Sequence, residues 1–215
     1  MQYLSRTKAS PVLGEFLGTA TLVMVALALS QITSVSYFVA TSVAAALAVV
    51  YMIFGGLTGG HFNPAITFGL WTARRIGTLR GLAYIVAQAL GGYASWQLYQ
   101  YFANQKLTSH TGHWDWRVLT AEAVGTLVLS LGFASAVTRG WDALESAVTY
   151  GASLFVGIMI AATVTTAGYL NPAVALGSNN IQWVYFLGPL LGGLVGINLF
   201  VYLFSPVKAK ATKKK

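Results

Sequence analysis

The chain has 215 residues, of which 56% are apolar and only 8% charged, with thirteen Lys/Arg against five Asp/Glu and no cysteine. An ordinary soluble domain carries roughly 25% charged residues, so this chain has too few to cover a water-facing surface. Disulfides and thiolate chemistry are excluded. The net charge of +8 does not imply nucleic acid, because a nucleic-acid site needs its cations clustered on one polar face.

The charges are segregated along the chain. No Asp, Glu, Lys or Arg occurs in the 58 residues between Glu15 and Arg74, or in the 62 between Glu145 and Lys208. Residues 81–105 and 123–138 are charge-free as well. A helix needs about 20 mostly apolar residues to cross a bilayer, so these stretches predict an all-α polytopic membrane protein. Six spans are expected, over Pro11–Ser30, Ser36–Gly55, Arg80–Phe102, Arg117–Val137, Leu144–Thr165 and Trp183–Phe204. A membrane barrel would need alternation at period two, which is absent. Arg6 and Lys8 before an apolar run raise the question of a signal peptide. Glu15 within that run, and five further spans after it, favour a first transmembrane helix. Glycines four apart, Gly14 and Gly18, then Gly188, Gly192 and Gly196, suit close helix packing in lipid.

With six spans both termini share a side. That side would carry Arg6, Lys8, Arg74, Arg75, Arg80, Arg139 and the tail lysines 208, 210, 213, 214 and 215, eleven cations in all. The other side would carry Lys106 and Arg117. The excess of cations marks the cytoplasmic side. The basic tail, residues 206–215, either touches anionic lipid or is simply solvated.

Three segments recur in order. Gly14-Glu15-Phe16-Leu17-Gly18-Thr19 resembles Ala121-Glu122-Ala123-Val124-Gly125-Thr126. Gly60-His61-Phe62-Asn63-Pro64-Ala65 resembles Gly168-Tyr169-Leu170-Asn171-Pro172-Ala173, and Tyr84 with Gly91-Gly92 matches Tyr185 with Gly192-Gly193. Each half, about 10–105 and 117–205, holds three spans. An odd number makes the halves enter from opposite sides, an inverted 3+3 repeat within one channel domain spanning 1–215. In such folds the functional site lies at the midplane between the repeats.

Each Asn-Pro-Ala follows glycine-rich chain and precedes a short apolar run, Asn63 to Leu70 and Asn171 to Leu176. Asn is a strong N-cap and Pro is favoured just after the cap, so a helix too short to span begins at each Asn. Non-helical backbone at membrane depth is tolerated only against protein or a cavity. Two such half-helices entering from opposite sides meet N-terminus to N-terminus. Their dipoles favour a neutral acceptor at the centre over a cation.

With Gly59-Gly60-His61-Phe62-Asn63-Pro64-Ala65 and its partner, the sequence resembles the aquaporin (major intrinsic protein) family over about residues 10–205. The resemblance implies six transmembrane helices plus two re-entrant half-helices, a pore in each subunit of a homotetramer, no cofactor or metal, and no enzymatic activity. Exclusion of cations by half-helix dipoles is a known aquaporin property. The pore centre would be Asn63, Pro64, Ala65, Asn171, Pro172 and Ala173. Acceptor carbonyls would come from Gly59, Gly60, His61, Ala167, Gly168 and Tyr169. Glu15 and Glu122 would be buried structural carboxylates, with a proton relay as the alternative. His61 reads as a loop-packing residue.

Counting from the two asparagines, the family's selectivity filter falls on Val43, Met159, Gly168 and Val174. The Arg usual after the second Asn-Pro-Ala is replaced by Val174, which predicts a wider, apolar constriction without its fixed cation. Ala175, where glycerol-conducting members carry Asp, and the pair Tyr185-Phe186 point back toward water. The expected function is a passive channel for water, leaky to small neutral solutes. The alternatives are a facilitator of glycerol, urea or ammonia, and more remotely a secondary transporter. An intramembrane protease lacks its motifs here. The expected host is a bacterial or archaeal inner membrane.

Overall fold

The computed structural model describes residues 9–112, 114–165 and 168–204. Among the described residues eight helices follow one another: α1 (Ser10–Ile32), α2 (Ser36–Thr58), α3 (Pro64–Thr72), α4 (Thr78–Ala103), α5 (Trp116–Thr138), α6 (Ala143–Ala161), α7 (Pro172–Gly177) and α8 (Val184–Leu203). Six are long and two, α3 and α7, are short, as the spacing predicts. Five of the long ones are apolar enough to cross a membrane by length and composition alone. The sixth, α4, is the longest at 26 residues but is diluted by Gln88, Gln97 and Gln100. Its outward face is nonetheless apolar: Leu79, Leu82, Val86 and Leu90 are all more than half exposed. That is the surface a lipid solvent selects, with the polar Gln88 turned fully inward.

Helix ends are marked by local chemistry. Asp142 and Glu145 form a reciprocal capping box at the start of α6, and Asp115 caps α5 while pairing with Arg117 at 3.2 Å. Arg117 beside it holds the exposed Asp115 carboxyl below its usual range. Asn63 and Asn171 cap α3 and α7, their Oδ1 atoms accepting from Ala65 N–H at 2.8 Å and Ala173 N–H at 2.9 Å. Such a cap contributes about 1 kcal/mol.

The packing follows a pseudo-twofold pattern. α1 lies against α2 and α4; α5 lies against α6 and α8; α2 and α6 meet each other across the axis. The half-helices are exchanged, so that α3 packs on α8 and α7 packs on α4. The double glycines explain how. A Cβ at Gly91 would strike the Phe16 carbonyl oxygen on α1, and one at Gly92 would strike that of Ala173 on α7. In the second half, Gly192 abuts the Ala123 carbonyl on α5 and Gly193 that of Ala65 on α3. One glycine of each pair thus seats the glutamate helix of its own half, and the other seats the half-helix of the opposite half.

The α1–α2 and α4–α5 connections lie on one face, called the mouth face below. It is tied together where His110 bridges to Asn180, with His110 N–H donating to Asn179 O and Ile181 N–H to His110 O, both at 3.0 Å. Arg74, Arg75, Arg80 and Arg139 lie in or beside the turns at the opposite ends of the helices.

Candidate functional site

The site begins with two strained residues. Phe62 and Leu170, each just before an Asn-Pro-Ala, have φ of 48° and 53°. A left-handed backbone costs a side-chain-bearing residue roughly 1–2 kcal/mol. The turn is held by a carboxylate. His61 N–H and Phe62 N–H donate to Glu15 at 3.0 and 2.7 Å; Tyr169 N–H and Leu170 N–H donate to Glu122 at 2.9 and 2.7 Å. Both glutamates are fully buried. A buried carboxylate tolerates the membrane interior only when its acceptor sites are filled, and the two backbone donors at each do this. Glu15 takes a third bond, from Gln88 Nε2 at 2.8 Å. Gln88 also bonds Thr67, and Thr67 bonds the His61 ring, so the first loop has a polar brace. These contacts give His61 the packing place expected of it, between the rings of Tyr84 and Phe133.

The asparagines cross the midplane. Asn63 Nδ2 donates to the Leu170 carbonyl at 2.9 Å, and Asn171 Nδ2 donates to the Phe62 carbonyl at 3.0 Å. The left-handed turn exposes each of those carbonyls to the opposite half. Both half-helix N-termini therefore meet at one point, as the inverted repeat predicts.

Asn63 and Asn171 border a cavity of about 420 Å³ that opens between the connections of the mouth face. Aliphatic and uncharged polar side chains share its wall, and among the described residues that border it the single fully charged side chain is Lys106, on the α4–α5 connection. Val43, Gly168 and Val174 border it together, and Tyr169 lies beside them. Met159 does not. Ile158, one residue earlier, borders the cavity, while Met159 is partly buried against the neighbouring core. Ile158 faces the cavity where Met159 is expected, for a physical reason. Counting back from Asn171 crosses a loop, which fixes no angle, and one residue rotates a helix by about 100°. The face of α6 is set instead by Gly157, whose missing Cβ admits the Gly125 backbone.

Gly59, Gly60 and His61 do not border this cavity. Their place is taken by packing: Tyr150 donates its hydroxyl to the His61 carbonyl at 2.8 Å, and the Tyr51 ring covers Gly60. Ala167 lies outside the described residues. Tyr150, Tyr51, Ile158 and Gln88 were not singled out by sequence. The first three recur at intervals of four along two apolar helices, Val43-Leu47-Tyr51 and Tyr150-Leu154-Ile158; that spacing was the available signal. Tyr185 stacks edge-on against Tyr169 at 4.8 Å and pairs its hydroxyl with Thr165. Among the described residues no group of His, Asp and Glu is placed to hold a metal ion.

Comparison with known proteins agrees with this geometry. The family model described as "Major intrinsic protein" matches residues 3–202. Relatives include "Aquaporin PIP2-4" of Zea mays, 33% identical over 180 residues covering 74% of this chain, and "Probable aquaporin PIP2-6" of Oryza sativa subsp. japonica, 33% identical over 178 residues covering 73%. The matched region spans 62% and 63% of those two proteins' own lengths. The aquaglyceroporin from Plasmodium falciparum shares the fold, with a TM-score of 0.66 at 19% identity, over 91% of this chain and 95% of that one. With two Asn-capped half-helices meeting inside a six-helix bundle and a family match over nearly its whole length, this integral membrane protein belongs to the major intrinsic protein family.

Proposed function

We propose that the chain is a passive channel for water that also admits small neutral solutes. The observation that carries this reading is the meeting of two half-helix N-termini, with both asparagine amides, in a cavity that opens to the mouth face. Each amide has two hydrogens. One is held by the opposing carbonyl, which leaves the other to donate to a molecule in the lumen. The partial positive charge of the two helix ends disfavours a cation there, and a water or hydroxyl oxygen satisfies the donors. Asn63, Pro64, Ala65, Asn171, Pro172 and Ala173 are read as the pore centre. Val43, Ile158, Gly168 and Val174 are read as the outer ring, with Gly168 and Tyr169 supplying carbonyl acceptors.

A solute facilitator is the second reading. It is favoured by the outer ring, which has aliphatic side chains where a fixed cation would narrow and polarise the path. The test is stopped-flow light scattering of proteoliposomes, first in sucrose and then in glycerol. Faster shrinkage than in empty vesicles supports the water channel; faster re-swelling in glycerol adds the solute. Folded protein that accelerates neither overturns both.

We further read both termini as cytoplasmic, from the arginines at the turns opposite the mouth. By analogy with the family, we read four copies as the working assembly. The prokaryotic host expected from sequence draws no support from the curated relatives, which are plant proteins.

A further inference from the structure

We infer that Tyr150, on the inner side of the two asparagines, sets the size limit of the conduit, in place of the outer ring. This rests on the channel reading. α2 and α6 run antiparallel against each other, and their facing residues form three levels. Val43 and Ile158 lie nearest the mouth, Leu47 and Leu154 in the middle, Tyr51 and Tyr150 innermost. Four residues of helix rise about 6 Å, so Tyr150 lies about 12 Å deeper than Ile158. α5 repeats the pattern, with Leu129 at the middle level and Phe133 at the inner one.

The cavity passes the outer ring and reaches the inner level. Val43, Ile158, Gly168 and Val174 all border the cavity, which continues beyond them to Asn63, Asn171 and Tyr150. Tyr51, Phe133 and His61 do not border it. There the rings close on one another: Tyr150 meets Phe133 edge-on at 5.0 Å and Tyr51 at 5.8 Å, and Phe133 meets His61 at 5.7 Å. The Tyr150 hydroxyl on the His61 carbonyl fixes its ring across the path at 2.8 Å. The same bond takes one of the two acceptor sites of that carbonyl and offers the phenol oxygen as a further acceptor. Selectivity in a pore follows its diameter and its lining donors and acceptors. In this chain both change at Tyr150, whereas the side chains of the outer ring are aliphatic and its acceptors are backbone carbonyls.

The test uses the full-length protein in proteoliposomes, comparing wild type with Tyr150→Leu, Tyr150→Phe and Val43→Ala. Leu continues the aliphatic stripe of α6 and Phe keeps the ring, so at least one variant retains the fold. Tyr150→Leu is expected to raise the glycerol-to-water permeability ratio about tenfold, the discrimination typical of a small change in pocket size. Tyr150→Phe is expected to keep the glycerol rate within about twofold of wild type and to raise water, because it frees the His61 carbonyl without opening the ring. Val43→Ala is expected to shift the ratio less than Tyr150→Leu does, since the outer ring is not the narrowest level. Water flux in Tyr150→Leu from a closed wild type would support the inference equally. An unchanged ratio in Tyr150→Leu with water flux intact overturns the inference alone, as does a larger change in Val43→Ala. No water flux from wild type or any variant overturns the channel reading itself.

Discussion

Val174 and Val43 are buried and border the cavity together with Gly168, and Val174 is proposed as the place where the family's fixed cation is missing. Val174→Arg would place a charge in the aliphatic outer ring, where it both fills space and orients water. Glycerol or urea flux is expected to fall by about tenfold or more, and water flux by less, because a small change in pore contacts weighs on the larger solute. Parallel osmotic and solute-gradient measurements read both rates, and an equal loss of both would remove Val174 from the pore lining. The buried glutamates make a second argument at this scale. Glu15 accepts three bonds, from His61 N–H on Oε1 and from Phe62 N–H and Gln88 on Oε2. A Gln there keeps one oxygen for one of the two backbone donors, so Glu15→Gln is expected to keep more folded yield and flux than Glu15→Leu. Glu15→Leu strands two buried N–H groups of a strained turn, at a cost of about 1–3 kcal/mol each, and is expected to cut folded yield in detergent. Normal yield from the Leu variant would contradict the role.

Among the elements, the half-helices depend on glycine contacts more than on their own length. A six-residue helix such as α7 has no stability alone. Gly92→Ala would press a methyl onto the Ala173 carbonyl, and Gly193→Ala onto that of Ala65, both backbone atoms that cannot swing aside. Each is expected to cost about 1–3 kcal/mol as overpacking, read as a lowered midpoint of thermal aggregation in detergent. Gly56→Ala, with open space around its Cβ position, is the control. The elements themselves were legible in the sequence because charge-free length, Asn-Pro punctuation and the glycine pairs act locally. The face that α6 turns to the lumen was not. Met159 and Ile158 differ by one residue, and the choice belongs to the Gly125–Gly157 contact, which joins residues far apart in the chain. Tyr150 was hidden for the same reason: its spacing with Leu154 and Ile158 marks an apolar stripe, and nothing in the stripe says that it faces a cavity.

At the scale of the whole molecule, the exchange of half-helices makes the two repeats interdependent. α3 is covered by α8 and α7 by α4, and each asparagine donates across the midplane to the other half. Neither half closes its own midplane. Residues 1–112 expressed alone would leave α3 without the Gly193 face, and the carbonyl of Phe62 without the Asn171 amide. In lipid an unsatisfied backbone group costs several kcal/mol, so the isolated half is expected to aggregate or be degraded. Residues 1–112 and 113–215 expressed together restore every contact between the halves apart from the severed peptide bond, which falls within the exposed α4–α5 connection. The two pieces are expected to co-purify through a tag on one of them and to restore osmotic flux in vesicles. A first half that is monodisperse and protease-resistant without the second would mean that the repeats fold as independent units. The crossed asparagine bonds would then be a consequence of docking and would contribute little to forming each loop.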